Sequence, residues 1–202
     1  MKIHVYNYDL PNNLKFEDSI AIDSETMGLN PKRDRLCLVQ ISSGDGICHL
    51  VKIDLKIQKP NNLIRILKDK NIQKIFHFAR FDVAVFKHNF KIKIKNIYCT
   101  KIASKLARTY TDKHGYKDIC NELLNKTISK VEQSSDWGGK LTKAQEEYAA
   151  SDVLYLHDLK DKLNEMLVRE NRVKLANACF NFIEHRTDLD INGWAEQDIF
   201  KH

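Results

Sequence analysis

Residues 19–53 read SIAIDSETMGLNPKRDRLCLVQISSGDGICHLVKI, and the fold is decided in this stretch. SIAIDSE (19–25) is apolar and then polar, the pattern of a buried strand ending in reactive side chains. TMGLNPKRDR (26–35) follows as a connector, punctuated by Gly28 and Pro31. LCLVQIS (36–42) and ICHLVKI (47–53) predict two further strands, and SGDG (43–46) between them predicts a hairpin turn. Strands joined by such short turns are antiparallel neighbours.

Beyond residue 60 the pattern changes to alternation of helix and strand. NNLIRILKDK (61–70) has Leu63, Ile64 and Leu67 at helical spacing, with Asn61 or Asn62 as its cap. KIFHF (74–78) predicts a short strand, ARFDVAVFKHNF (79–90) a helix, and KNIYCT (95–100) another strand. Helices are predicted over 101–109 and 115–125. One long helix is predicted from Thr142 to about Arg169 and a further one over 172–182. The last twenty residues read as irregular. Hairpin strands followed by strand–helix alternation predict an α/β domain with a mixed sheet of five or six strands flanked by helices. That order is similar to the ribonuclease-H-like fold. Residues 1–202 are expected to form one domain, with 171–202 a C-terminal helix and tail used in packing or in oligomer contacts.

A chain of 202 residues, 43% hydrophobic, suffices for one core. The formal net charge of +6 suits an anionic partner such as nucleic acid without requiring one. Lys87, Lys91, Lys93, Lys95, Lys101, Lys105 and Arg108 crowd one stretch, which reads as a solvated face rather than a dedicated groove. No apolar run approaches the roughly 18 residues of a membrane span. MKIHVYNYDL at the start lacks an apolar signal core, so a cytoplasmic location is expected. The five cysteines are odd in number and dispersed, as reduced core residues are.

Asp23 and Glu25 are two apart on a strand, which places them on one face. Two adjacent carboxylates repel unless a cation lies between them, and a divalent ion with oxygen ligands is the natural occupant. A solvated strand edge is the ordinary alternative. Asp82 falls in the first turn of the 79–90 helix, where favourable charge–dipole placement alone would account for it. Tyr148 and Asp152 are four apart on one helix face; a core aromatic with a polar neighbour explains them as well. Ala149, Ala150 and Ser151 would let that helix approach another backbone closely.

The order and setting of these pieces resemble the DEDDy group of 3′→5′ exonucleases within the ribonuclease D family. IAIDSETMGL, HFARFD and SDWGGKLTKAQEEYAASD match the three exonuclease motifs of that family in order, over about residues 19–160. Ser24 stands where Thr is commoner. DSETMGLNPKRDRLCLVQIS and FIEHRTDLDINGWAEQDIF further resemble nanoRNase C, the oligoribonuclease-type branch. The resemblance implies that Asp23, Glu25, Asp82 and Asp152 hold two divalent ions, Mg²⁺ or Mn²⁺, and that Tyr148 orients the attacking water. It implies that Met27 and Leu29 wedge against the terminal base, with Thr26 beside them in the substrate site. His77 is poised between a phosphate or terminal-nucleotide contact and a satisfied strand-end histidine. Trp137 reads as support for the helix start. Lys113, His114, Lys117, Lys126 and Lys130 are candidates for phosphate contact.

The expected activity is hydrolysis of short single-stranded RNA, of two to a few nucleotides, to mononucleotides. Full-length ribonuclease D-like proteins carry helical domains after the nuclease, and this chain ends soon after it, which favours a short substrate. The nanoRNase C resemblance also implies a ring-like homo-oligomer such as an octamer, with Trp194 and Phe200 as candidate contacts. The alternatives are action on longer RNA or tRNA 3′ ends, action on single-stranded DNA, or a non-catalytic nucleic-acid-binding module.

Overall fold

The computed structural model describes residues 2–129, 131–132 and 135–201. Six strands form one sheet: β1 (Lys2–Asn7), β2 (Ser19–Thr26), β3 (Leu36–Ser42), β4 (Ile47–Lys52), β5 (Gln73–Phe76) and β6 (Ile97–Cys99). Their order is β1-β4-β3-β2-β5-β6. The β2–β3 and β3–β4 pairs are antiparallel, as their short connectors dictate, whereas β2–β5 and β5–β6 are parallel. The sheet is therefore mixed, as expected. β2 lies in its interior; its pairing with β5 covers Ser19–Ala21, and the stretch carrying the acids is held by β3. β3 is buried along its whole length.

β1 was not predicted. It pairs in parallel with β4 at the sheet edge, from Lys2 opposite Ile47 to Asn7 opposite Lys52. An edge strand in which Lys2, His4 and Tyr6 alternate with Ile3 and Val5 lacks the apolar run that marked the others. Its His4 stacks on His49 across the pair, with ring centroids 5.8 Å apart.

The helices are α1 (Asn61–Lys68), α2 (Ala79–Phe90), α3 (Thr100–Ala107), α4 (Tyr116–Leu124), α5 (Lys143–Leu154), α6 (Leu156–Arg169) and α7 (Val173–Leu189). α1 is not capped by Asn61 or Asn62. Asp9, far away in sequence, accepts the Asn62 and Leu63 backbone N–H groups at 3.0 Å each. The single long helix expected over 142–169 is broken at Tyr155 into α5 and α6. α5 lies against β2, β3 and β4, while α6 packs on α3 and α4. α7 extends to Leu189, past the expected 182, and buries Ala176, Phe180 and Ile183 against the domain's own core. The segment after it is not simply irregular. A wide helical turn, Asp190–Trp194, continues the chain and is held by Arg80, which donates to Asp190 Oδ2 at 2.7 Å and to the Ala195 carbonyl at 2.7 Å.

The basic stretch is only partly a solvated face. Lys95 pairs with Glu184 of α7 at 2.8 Å. Arg108 is fully buried, donating to Ser104 Oγ, the Lys113 carbonyl and Glu122. Cys37, Cys48, Cys99 and Cys120 are buried and Cys179 is half-buried; all are free thiols. No helix among the described residues is long and apolar enough to cross a membrane.

Candidate metal centre and nucleic-acid cleft

Asp23 and Glu25 face the same side of β2, and α5 delivers Asp152 to them. One carboxylate oxygen from each of the three lies within 4.8 Å of the others. The approach of α5 depends on Ala149 and Ala150, which are completely buried beneath it, so that no larger side chain holds the helix off the sheet. The helix start is fixed by a capping box: Gln145 N–H donates to Thr142 Oγ1, and Thr142 N–H to Gln145 Oε1. This accounts for the LT and Gln145 positions of the third motif. Gln145 Nε2 also donates to the Asp136 carbonyl at 3.0 Å.

Asp82 lines the same cleft but stands outside the group of three. It is only 2% exposed, and its Oδ1 accepts a 2.6 Å hydrogen bond from Ser24 Oγ. Ser24 is unremarkable in the sequence beyond replacing a commoner Thr, yet its hydroxyl orients this fourth acid. Among the described residues, none of the four carboxylates has a Lys, Arg or His ion-pair partner.

Burial without a cation raises every acid here. Asp23 is pushed up to about 7 by desolvation. Glu25 rises to about 10 through burial and the charges of Asp23, Asp152 and Asp82. Asp82 and Asp152 are raised by burial and by Asp23. Such a donor set, hard oxygens crowded together and unpaired, fits a divalent cation. The Tyr148 hydroxyl is raised far above its ordinary 10 by burial and the neighbouring acids. It stays protonated, a donor rather than a base.

Gln40 is a component that sequence reasoning missed. It is directly opposite Asp23 on β3, is completely buried, and its Nε2 donates to Glu25 Oε1 at 3.2 Å and Asp23 Oδ2 at 3.4 Å. The signal was there: one amide in the otherwise apolar LCLVQIS, on the strand adjoining the two acids. Buried polar groups are rarely idle.

The acids floor a cleft of about 610 Å³. Its rim carries Met27 and Leu29, exposed to 51% and 86%. The register of β2 with β3 slips between Glu25 and Thr26, and such an irregularity turns the strand away from its neighbour. Thr26 Oγ1 then donates to the Gly28 carbonyl and tightens the departing turn. Asp34 crowds Gly28, so any side chain there would strike its carboxylate. Phe78 is a second missed rim residue. It sits in the left-handed region at φ 69°, an uncommon conformation for a bulky residue that tends to occur at functional sites. Lys101 lies over its ring, 4.2 Å from the centroid.

His77 also lines the cleft, half-buried. Its Nδ1 is 3.0 Å from Thr100 Oγ1. Burial and the Lys101 charge lower it to about 3, so it is neutral. Trp137 is buried behind Tyr148, with ring centroids 6.1 Å apart. Lys117 lines the cleft, whereas His114 is held by Ser104 at 2.9 Å and Lys126 lies over the Tyr155 ring. Lys130 lies outside the described residues.

The chain matches the 3′-5′ exonuclease family over residues 8–168. It is 31% identical to ribonuclease D of Gluconacetobacter diazotrophicus over 161 residues, which is 79% of this chain and 40% of that protein. The chain thus spans about two-fifths of the length of the ribonuclease D relatives it matches. Similarity to Brucella melitensis NrnC with bound Mg²⁺ is more extensive: 55% identity over 100% of both chains, TM-score 0.95. NrnC of the same organism bound to pGG is 56% identical, with a TM-score of 0.96 over 100% of this chain and 99% of that one. The chain belongs to the 3′-5′ exonuclease family, as a ribonuclease D-like member close to NrnC.

Proposed function

We propose that this protein is a DEDDy-type, two-metal-ion 3′→5′ exoribonuclease that hydrolyses RNA of two to a few nucleotides to 5′-mononucleotides. The observation that carries this reading is the convergence of Asp23, Glu25 and Asp152 within 4.8 Å, with no ion-pair partner among the described residues. Asp82, oriented by Ser24, adds the fourth carboxylate. When bound, a pair of Mg²⁺ or Mn²⁺ ions supplies Lewis acidity toward the phosphate and lowers the pKa of the attacking water.

The chain's own residues do the rest. Tyr148, protonated and beside Asp152, orients the water for in-line attack on phosphorus. The P–O3′ bond then breaks, the departing 3′ oxygen takes a proton, and a 5′-mononucleotide leaves. Gln40 restrains Asp23 and Glu25, limiting the motion of their carboxylates. Met27 and Leu29 meet the terminal base through apolar contact that reads no sequence. Thr26 holds that turn in shape. His77, being neutral, serves as a hydrogen-bonding and packing group rather than a phosphate-neutralising cation. Lys101 and Lys117 supply positive charge along the wall.

The short substrate is favoured by the likeness, along the whole chain, to NrnC, a relative solved with pGG. The chain acts in the cytoplasm as one domain whose C-terminal helix and tail provide subunit contacts in a ring-like homo-oligomer, an octamer on the sequence resemblance. Leu175, Phe182, Trp194 and Phe200 are exposed there and suit such contacts. Competition between 5′-labelled RNA dinucleotides, matched longer RNA and matched DNA tests the substrate. The dinucleotide is expected to be hydrolysed fastest. Equal rates on long RNA would remove the short-substrate claim, and faster loss of DNA would reassign the substrate class. Light scattering that finds a monomer would contradict the ring.

A further inference from the structure

The break between α5 and α6 has a specific cause. In a continuous helix the Tyr155 N–H would donate to the Ser151 carbonyl. Here the Tyr116 hydroxyl stands between them. It donates to the Ser151 carbonyl at 2.8 Å and accepts from the Tyr155 N–H at 3.4 Å, an N–H that also turns toward the Val153 carbonyl. Insertion of a side chain into the helix ladder is a recognised origin of a kink. No Pro or Gly lies in YAASDVLYL, residues 148–156. Tyr155 accordingly leaves helical geometry, at φ −107° and ψ 8°, and the helix restarts at Leu156.

The place of this insertion matters. The captured carbonyl belongs to the residue immediately before Asp152, and Tyr148 lies one turn earlier. Ser151 Oγ donates back to the Tyr148 carbonyl at 2.7 Å, loosening the same turn. Tyr116 itself is firmly held. It is the first residue of α4, and its ring lies against His77 with centroids 5.6 Å apart. One side chain thus ties the wall of the cleft to the turn that presents the carboxylate of α5.

We propose that Tyr116 is a positioning residue: its hydroxyl, inserted between Ser151 and Tyr155, ends α5 at the point that brings Asp152 to Asp23 and Glu25. This rests on the reading of those carboxylates as a divalent-ion site. Without the hydroxyl the ladder closes, the helix runs on, and Asp152 turns away from its partners.

The test is calorimetric titration of Mn²⁺ alone into the full chain and its Tyr116→Phe variant, with thermal melting and amide exchange at Tyr155. The variant is expected to melt within a few degrees of the parent. Its Tyr155 amide should exchange more slowly, because it now bonds the Ser151 carbonyl. Its Mn²⁺ affinity should fall at least about tenfold, the usual scale for losing a group that orients a ligand. Unchanged Mn²⁺ affinity in the variant would overturn the proposal. So would weaker binding accompanied by faster exchange at Tyr155 and a large drop in melting temperature, which signals general loosening. Absence of Mn²⁺ binding by the parent protein would instead refute the ion-site reading, and the inference with it.

Discussion

Two buried ionic regions of this molecule are built on opposite principles. Around α3 and α4, Arg108 is completely buried and well partnered: Glu122 takes two of its N–H groups, and Ser104 and the Lys113 carbonyl accept one each. In the cleft, Asp23, Glu25, Asp82 and Asp152 gather with no ion-pair partner among the described residues, and Gln40 and Ser24 are the donors to three of them. A buried charge normally demands a counter-charge. The first region contains its own and serves as scaffold. Among the described residues the second has no such partner, and its crowded oxygens suit a divalent cation from outside. That difference separates a functional site from a structural ion pair more cleanly than the acidity of either region.

The contrast is most exposed to test at Asp23. Asp23→Asn should lower hydrolysis at least about a thousandfold, since several kcal/mol of charge stabilisation are at stake. The same change should raise the melting temperature of the metal-free protein by removing repulsion. Gln40→Leu leaves all four acids but frees two of them. The Mg²⁺ concentration for half-maximal rate should then rise about 10- to 100-fold, read from a Mg²⁺ titration of the rate.

In the scaffold region, Glu122→Gln should destabilise the fold by about 1–2 kcal/mol, by loss of charged hydrogen bonds to Arg108 from a partly exposed partner. Urea denaturation checks this, and no gain in stability should occur.

The two regions also differ in the sign of their pH dependence. The cleft acids have folded pKa values raised above their ordinary values near 4, Asp23 to about 7. Their contribution to stability is complete below about pH 4 and is lost as pH rises through the folded values. Glu122 is lowered by its bonds from Arg108 and Tyr110. Its contribution is present above its ordinary value and is lost only as pH falls further. Metal-free protein should therefore melt lower at pH 8 than at pH 5, and Mg²⁺ should recover more at pH 8. The smallest effect belongs to the rim. Leu29→Ala should raise KM a few-fold, about 1 kcal/mol of apolar contact, without moving the melting temperature, because Leu29 is exposed.

Most of the sheet was legible because β2, β3 and β4 carry largely apolar runs between turn residues. β1 was not, because an edge strand with polar residues on one face has no such run. The break at Tyr155 was invisible for a different reason. It depends on Tyr116, thirty-nine residues away, and no local propensity encodes a hydroxyl arriving from another helix. The cap of α1 by Asp9 was hidden in the same way. At the site, the spacing of Asp23, Glu25, Tyr148 and Asp152 was readable because strand and helix periods place each pair on one face. Gln40, Ser24 and Phe78 escaped because their roles are set by cross-strand register, by orientation toward Asp82 and by an uncommon backbone conformation.

If the unpaired carboxylates work only with a pair of divalent ions, one titration decides the matter. The rate of hydrolysis of a 5′-labelled RNA dinucleotide is followed against Mg²⁺ concentration, in the parent protein and in Asp23→Asn. The parent rate should rise with more than first-order dependence on Mg²⁺ and vanish with EDTA, and the variant should stay at least about a thousandfold slower at every Mg²⁺ concentration. Hydrolysis that persists in EDTA, or that survives Asp23→Asn, would show that the acids do not need the ions.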